Sequence, residues 1–175
     1  MKAIYLAFCS DKDLTSLAIS LITGKVGPEK YPIIHCEIVL GSEETGYTKY
    51  CAKPYQDTYK RECSSLEIYK KWYNYSELYK FYVSDEEYDQ LQQFLESQLG
   101  KKYDWLAILS LGLFKRNWES SDKWICSEYL ITALNKCTSI TLLNKRADAF
   151  RIAPRDLYLS PLVNAESYYN TYYRE

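Results

Sequence analysis

The sequence lacks the features that would place it in several specialised classes of protein. Lysine and arginine are spread along the 175 residues and the formal net charge is −1. We therefore expect no nucleic-acid partner, because such binding needs a concentrated basic surface. No apolar run approaches the roughly 20 residues that span a bilayer. The N-terminal apolar stretch is too short for a secretory leader, so we expect a cytoplasmic protein.

Metal-binding and disulfide patterns are also missing. The chain has a single histidine, His35, and no two of its cysteines form a C-x-x-C pair. A zinc site needs several such ligands at short spacing, and disulfides belong mainly to secreted proteins. We predict no metal and no cofactor. We expect reduced and mostly buried thiols at the six cysteines, which are Cys9, Cys36, Cys51, Cys63, Cys126 and Cys137.

Hydrophobic periodicity predicts an α+β domain with a mainly antiparallel sheet packed against helices. Apolar runs indicate four or five strands, at 3–9, 33–40, 47–53, 64–70 and 78–83. Helices are expected at 13–23, after the capping box of Ser84 and Glu87, at 103–114 and at 123–136. Pro154 begins a short turn or helix, PRDLYL. Strands that come first and helices that follow are typical of the α+β class.

The chain divides into a single domain over 1–165 and a tyrosine-rich tail over 166–175. Tyrosine occurs 19 times in the sequence, and the tail is especially rich in it. Tyrosine rings that are half exposed can pack and bind at once. We expect the tail to be a loosely held terminus that can contact a partner.

The strand at 33–40 carries the first candidate for chemistry. Side chains alternate across a sheet, so His35 and Glu37 share one face while Cys36 faces an apolar core. Two steps of strand rise separate the two polar residues by about 6.5 Å. At that distance a carboxylate can orient the imidazole ring and favour its charged form. The alternative is a solvated outer sheet face, on which both residues are ordinary.

Cys126 is the second candidate. Ser121 or Asp122 can cap a helix over 123–136, which places the thiol in or near the first turn. The helix dipole and the backbone N–H groups there lower a thiol pKa and can hold an oxyanion. The alternative is that Cys126 only ends an apolar stripe that continues through Tyr129 and Ala133. A nucleophilic cysteine needs a histidine base, and the two can lie far apart in sequence.

At these residues the sequence resembles the circularly permuted branch of the NlpC-type papain-like enzymes. That branch includes bacterial YiiX-like proteins, poxvirus and phage proteins, and relatives of lecithin:retinol acyltransferase. The shared order is a histidine strand, two helix starts and a Pro-x-Asp-Leu turn. In this chain the matching segments are His35-Cys-Glu-Ile-Val39, Tyr103-Asp-Trp105, Trp124-Ile-Cys-Ser-Glu-Tyr129 and Pro154-Arg-Asp-Leu157, and together they cover about residues 3 to 160.

The resemblance implies a permuted papain-like domain and roles for particular residues. Cys126 would attack a carbonyl carbon, and His35 would hold and return the thiol proton. Many relatives take the orienting group from the strand after the histidine strand. Here 47–53 offers no His, Asp or Glu, so we assign that part to Glu37. The substrate-binding residues are expected to be Tyr103, Trp124 and Ser127.

The predicted function is an intracellular cysteine hydrolase. It would cleave an amide or ester bond of a peptide or lipid-like substrate through a thioester acyl-enzyme, and a viral or phage protein would do so in the host cytoplasm. An acyltransferase on the same site is one alternative. A non-catalytic binding module that uses the tyrosine-rich surface is another. A redox protein, with Cys36 or Cys51 near Cys126 in space, is a third.

Overall fold

One large antiparallel sheet organises the molecule. The computed structural model describes residues 1–11, 20, 27–28, 31–109, 122–144, 152–163 and 167–174. The strands are β1 (Lys2–Ser10), β2 (His35–Ser42), β3 (Gly46–Lys53), β4 (Asp57–Cys63), β5 (Tyr75–Val83), β6 (Lys102–Tyr103), β7 (Lys123–Trp124) and β8 (Tyr168–Tyr173). The large sheet has the antiparallel order β4-β3-β2-β1-β5-β8, and β6 pairs in parallel with β7. The predicted α+β fold is confirmed, with six strands in the main sheet.

The helices of the described segments lie mainly in the second half of the chain. They are a 3₁₀ helix (Leu66–Ile68), α1 (Tyr69–Trp72), α2 (Asp85–Ser97), α3 (Trp105–Leu109), α4 (Cys126–Cys137) and α5 (Pro154–Tyr158). The predicted capping box begins α2: the Ser84 hydroxyl accepts the Glu87 N–H at 3.1 Å, and the Glu87 carboxylate accepts the Ser84 N–H at 2.8 Å. Apart from Ser20, the helix expected at 13–23 lies outside the described residues, as does the continuation of α3 to 114. Within the described ranges, no helix has both the length and the apolar character needed to cross a membrane.

The prediction of a strand over 64–70 is wrong. Those residues form the 3₁₀ helix and α1, because the Ser65 hydroxyl accepts the Glu67 N–H at 3.2 Å and starts a helical turn. β3 pairs with β2 on one side, and on its other side it pairs with β4, whose sequence DTYKREC has no apolar alternation. An edge strand with one solvent-facing side can lack that pattern, so the sequence contained little sign of it.

Two further expectations also differ from the structure. Tyr168–Tyr173 is not a loose terminus: it forms β8 and pairs with β5 at the edge of the sheet. The helix expected from residue 123 begins at Cys126, because Lys123 and Trp124 are extended and pair with β6. Its N-cap is Ile125, without a side-chain cap, so Asp122 does not cap it; Ser121 lies outside the described residues.

The large sheet is covered on both faces. On one face, apolar side chains that include Phe8 and Ile38 pack against α2 and α4. On the other face, Val39 and its neighbours lie beneath a tyrosine cover, which is formed by Tyr69 and Tyr73 at the two ends of α1 and by Tyr172 of β8. The alternative of a solvated outer face is therefore wrong: His35 is 6% exposed and Glu37 is 1% exposed.

We predict that the tail strand contributes to stability through one of its tyrosines. Tyr172 is 5% exposed and packs 6.4 Å from the ring of Tyr69, whereas Tyr168 on the same strand is 47% exposed. Tyr172→Ala should lower the free energy of unfolding by roughly 3 kcal/mol, and Tyr168→Ala by about 0.5 kcal/mol or less. Urea denaturation of the two variants measures the difference. Equal losses would mean that β8 does not hold the tyrosine cover in place.

Candidate active site

His35 lies at the end of the large sheet, where it can reach groups on both sides. It is the first residue of β2 and pairs in register with Cys9 of β1. Its Nε2 atom is 3.1 Å from Oε1 of Glu37. The ring also lies next to Cys126 at the start of α4, since the charge and hydrogen bonding of Cys126 raise the pKa of His35. Because Glu37 occupies Nε2, Nδ1 is the nitrogen that can serve the thiol.

Cys126 is the first residue of α4, and its sulfur is surrounded by hydrogen-bond donors. The thiol of Cys36, the imidazole of His35 and the backbone N–H of Cys36 all lower the pKa of this thiol. The first N–H groups of a helix have no partner within that helix and carry the positive end of its dipole. The sequence placed this thiol correctly at a helix start, although the residue that caps the helix differs.

The hydrogen bonds and charges around Cys126 and His35 favour an ion pair. The hydrogen bond from Cys36 is the largest influence on the Cys126 thiol, and with the charge of His35 it outweighs burial and holds the thiol pKa well below its ordinary value. Burial by itself lowers the pKa of His35, but the charge of Cys126 and hydrogen bonds to Cys126, Cys51 and Glu37 raise it well above its ordinary value. The pair therefore titrates together and favours thiolate with imidazolium near neutral pH.

The carboxylate of Glu37 lies at the centre of a buried polar cluster. Besides His35, its Oε1 atom accepts the Lys49 ammonium at 2.9 Å and the Tyr73 hydroxyl, and its Oε2 atom accepts the Tyr69 hydroxyl at 2.8 Å. Burial alone raises the pKa of Glu37, but the charge of Lys49 and the hydrogen bond from His35 hold it well below its ordinary value. The carboxylate is therefore ionised although it is shielded from water.

Lys49 supplies the charge that balances Glu37. It pairs with Val39 across β2 and β3, which places it on the same sheet face as Glu37, and it is 2% exposed. Its ammonium lies 4.4 Å from the centroid of the Trp72 ring. Burial lowers the pKa of Lys49, but the negative charge of Glu37 more than offsets this and raises the pKa above its ordinary value, so the group stays protonated. Thiolate, imidazolium, carboxylate and ammonium thus alternate in sign across the site.

Several members of this cluster were not identified from the sequence. Lys49 and Cys51 alternate on β3, but a lysine on a strand was not taken as a buried group. Tyr69 and Tyr73 are four residues apart, which is helical spacing, but the strand predicted over 64–70 includes Tyr69. Recognition of helical spacing in YKKWY would have placed the two hydroxyls on one side of α1.

The three expected substrate-binding residues differ in their surroundings. Burial raises the pKa of Tyr103, and the charge of Cys126 adds to this, so the phenol lies near the sulfur. Trp124 pairs with Tyr103 across β6 and β7, and its buried Nε1 has no hydrogen-bond partner among the described residues. The Ser127 hydroxyl is fully buried and donates to the carbonyl of Ile152 at 2.5 Å. It therefore anchors the segment before α5 and is not free to bind a substrate.

One trio of metal-type ligands occurs in the cluster. A nitrogen of His35, an oxygen of Glu37 and the sulfur of Cys51 lie within 4.8 Å of one another. The ammonium of Lys49 and two tyrosine hydroxyls already occupy the carboxylate, and burial raises the pKa of Cys51 so that its thiol stays protonated. A bound cation would have to displace Lys49 and ionise the thiol. These residues therefore do not fit a resident metal ion.

Comparisons with known proteins give one similar structure. No family model and no curated protein matches the chain. The crystal structure of YiiX from Escherichia coli O157:H7, which is described as a metalloprotein, shares 15% of residues, with coverage of 99% of this chain and 97% of YiiX, at a TM-score of 0.59. At this identity the similarity establishes the fold alone. The chain therefore has a YiiX-like fold.

We predict that Cys126 reacts with iodoacetamide at a lower pH than the other thiols. An ordinary thiol, with a pKa of about 8.5, is only about 3% ionised at pH 7. The alkylation rate of Cys126 should already be near its plateau there, and His35→Ala should move the rise toward alkaline pH because the stabilising charge is lost. Peptide mass spectrometry over a pH series gives the rates. Cys63, whose pKa burial raises, is the internal reference; identical profiles for the two thiols would contradict the ion pair.

A second prediction concerns the buried cation. Lys49→Met leaves the Glu37 carboxylate without its charge partner and should lower the free energy of unfolding by about 3–5 kcal/mol at neutral pH. The deficit should shrink on acidification, because the carboxyl pKa rises in the variant and a protonated Glu37 needs no cation. Lys60→Met is the matched control, since Lys60 pairs with Glu96 in solvent and should leave the unfolding midpoint nearly unchanged. Similar unfolding midpoints for both variants would show that Lys49 does not stabilise the fold by balancing the charge of Glu37.

Proposed function

We propose that this protein is a thiol hydrolase that cleaves an amide or ester bond through a thioester on Cys126. The observation that carries the proposal is the contact between Cys126 and His35 at a helix start, with Glu37 on the other ring nitrogen. Nucleophile, base and orienting group are the three parts that thiol acyl transfer requires. Burial of the cluster strengthens each electrostatic interaction within it.

The first half of the reaction forms the acyl-enzyme. The Cys126 thiolate attacks the carbonyl carbon and the carbonyl oxygen becomes an oxyanion. Backbone N–H groups at the start of α4 are oriented to stabilise that negative charge. The oxyanion then reforms the carbonyl, the bond to the leaving nitrogen or oxygen breaks, and the His35 imidazolium donates its proton to the leaving group.

The second half releases the acyl group. Neutral His35 takes a proton from a water molecule, whose oxygen attacks the thioester carbon. Collapse of the second tetrahedral intermediate expels the Cys126 thiolate and yields a carboxylic acid, with imidazolium restored beside the sulfur. An alcohol or amine in the place of water would make the same site an acyltransferase.

Glu37 and Lys49 act as positioning residues in this scheme. Oε1 of Glu37 forms a hydrogen bond with Nε2 of His35 at 3.1 Å. This bond orients the ring with Nδ1 toward the sulfur of Cys126 and favours the protonated form of the imidazole. Lys49, Tyr69 and Tyr73 hold the carboxylate in its ionised form and in one orientation. None of these groups needs to touch a substrate, so their effect on rate passes through His35.

A metal-dependent reaction is the alternative that the YiiX description raises, and the site chemistry argues against it here. The carboxylate of Glu37 is already neutralised by Lys49 at 2.9 Å, and the Cys51 thiol is protonated. No step of the proposed mechanism uses a metal. The six unpaired cysteines favour a reducing compartment, so we propose a peptide or lipid-like substrate inside the cell.

The proposal predicts a covalent intermediate on one cysteine. p-Nitrophenyl acetate should acetylate Cys126, with release of nitrophenol, and hydroxylamine should remove the acetyl group because it cleaves thioesters. His35→Ala should slow acylation by about 100-fold or more, since the thiolate and the proton donor are both lost. Intact-mass kinetics measure the adduct.

Cys137→Ala is the control for general thiol reactivity, because Cys137 lies at the far end of the same helix. It should acetylate at the wild-type rate, and Cys126→Ala should not form the labile adduct. Equal acetylation of wild type and Cys126→Ala would favour the binding-module alternative. Addition of glycerol or glycine methyl ester then separates hydrolysis from transfer by the identity of the acetylated product.

A further inference from the structure

A second thiol lies against the candidate nucleophile. Cys36 follows His35 in β2 and its side chain faces the opposite side of the sheet, in the core beneath α4. Its thiol and its backbone N–H both lower the pKa of the Cys126 thiol, and Cys126 in turn raises the pKa of Cys36. Both residues are buried, at 1% and 4% exposure. The two thiols therefore lie in one buried cluster between β2 and the start of α4.

We propose that Cys36 and Cys126 form a reversible disulfide when a peroxide oxidises Cys126, and that this reaction switches off the candidate nucleophile while protecting it from permanent oxidation. The inference goes beyond acyl transfer. It uses the reactivity of the thiolate and the position of Cys36, and it needs neither a carbonyl substrate nor an oxyanion site.

The chemistry proceeds in two balanced steps. The Cys126 thiolate attacks one oxygen of hydrogen peroxide, the O–O bond breaks, and the departing hydroxide takes a proton from His35 to leave as water. Cys126 is then a sulfenic acid. The Cys36 sulfur attacks the sulfenic sulfur, the S–O bond breaks, and the hydroxide leaves as a second water with the Cys36 proton. Two thiols lose two electrons in total and the peroxide gains them.

The contacts favour Cys36 over the other thiols. Cys51 lies on the opposite sheet face, where it contacts His35 near Glu37. Cys137 is at the other end of α4, about 16 Å along the helix axis from Cys126. Burial raises the pKa of Cys36, and the negative charge of Cys126 raises it further. Oxidation of Cys126 removes that charge, so the partner becomes easier to ionise at the step that needs it.

Peroxide treatment of the whole protein tests the inference. In the wild type, hydrogen peroxide should remove two hydrogen atoms from the intact mass, reduce the number of free thiols from six to four, and join the peptides of Cys36 and Cys126. Dithiothreitol should restore the iodoacetamide-reactive thiol. In Cys36→Ser, Cys126 should instead acquire two or three oxygen atoms that dithiothreitol does not remove. Cys137→Ser, at the far end of α4, should behave as the wild type does.

Two results would overturn the proposal. One is a disulfide that joins Cys126 to Cys51; the other is irreversible oxidation of wild-type Cys126 at the rate found in Cys36→Ser. The wild-type peptide map requires no variant, and Cys36→Ala provides a second substitution if the serine variant does not fold. The assay contains no ester, so a protein that forms this disulfide but is not acylated by p-nitrophenyl acetate would retain the inference and lose the hydrolase proposal.

Discussion

The buried ion pair between Glu37 and Lys49 is the interaction on which the rest of the site depends. An isolated carboxylate in a dry interior is unstable, and it would take up a proton. Lys49 at 2.9 Å and the hydroxyls of Tyr69 and Tyr73 keep it charged. A charged Glu37 favours a charged His35, and a charged His35 favours thiolate at Cys126. Removal of the Lys49 ammonium would thus raise the pKa of the Cys126 thiol, although the two groups are not in contact.

The position of His35 allows one side chain to join the two sides of the sheet. In the middle of β2 a residue can contact only one face, as Cys36 and Glu37 do in turn. His35 is at the first position of the strand, so its ring stays with Glu37 on the tyrosine-covered face and still reaches Cys126 at the start of α4. Both covers are needed: α4 carries the thiol, and the tyrosine cover keeps water from the carboxylate.

Local patterns were sufficient for some parts of this arrangement and insufficient for others. Strand alternation placed His35 and Glu37 on one face, and the position of Cys126 at a helix start followed from sequence. The tyrosine cover could not be predicted, because SSLEIYK has the composition of a strand. In the structure this segment forms helical turns that begin at the hydrogen bond between the Ser65 hydroxyl and the Glu67 N–H. Lys49 was missed because a lysine on a strand usually faces solvent, and its burial depends on a residue twelve positions away.

The position of Cys36 beside Cys126 bears both on the reactivity of the Cys126 thiolate and on its oxidation by peroxides. A thiol that donates a hydrogen bond to a neighbouring sulfur stabilises the thiolate there and lowers its pKa. The same thiolate is the form that peroxides oxidise fastest. A donor from an oxygen or nitrogen side chain would stabilise the charge at least as well, because S–H is a weak donor, but it could not form a disulfide afterwards. Sulfur at position 36 therefore supplies both the hydrogen bond that activates Cys126 and a partner that can restore it after oxidation.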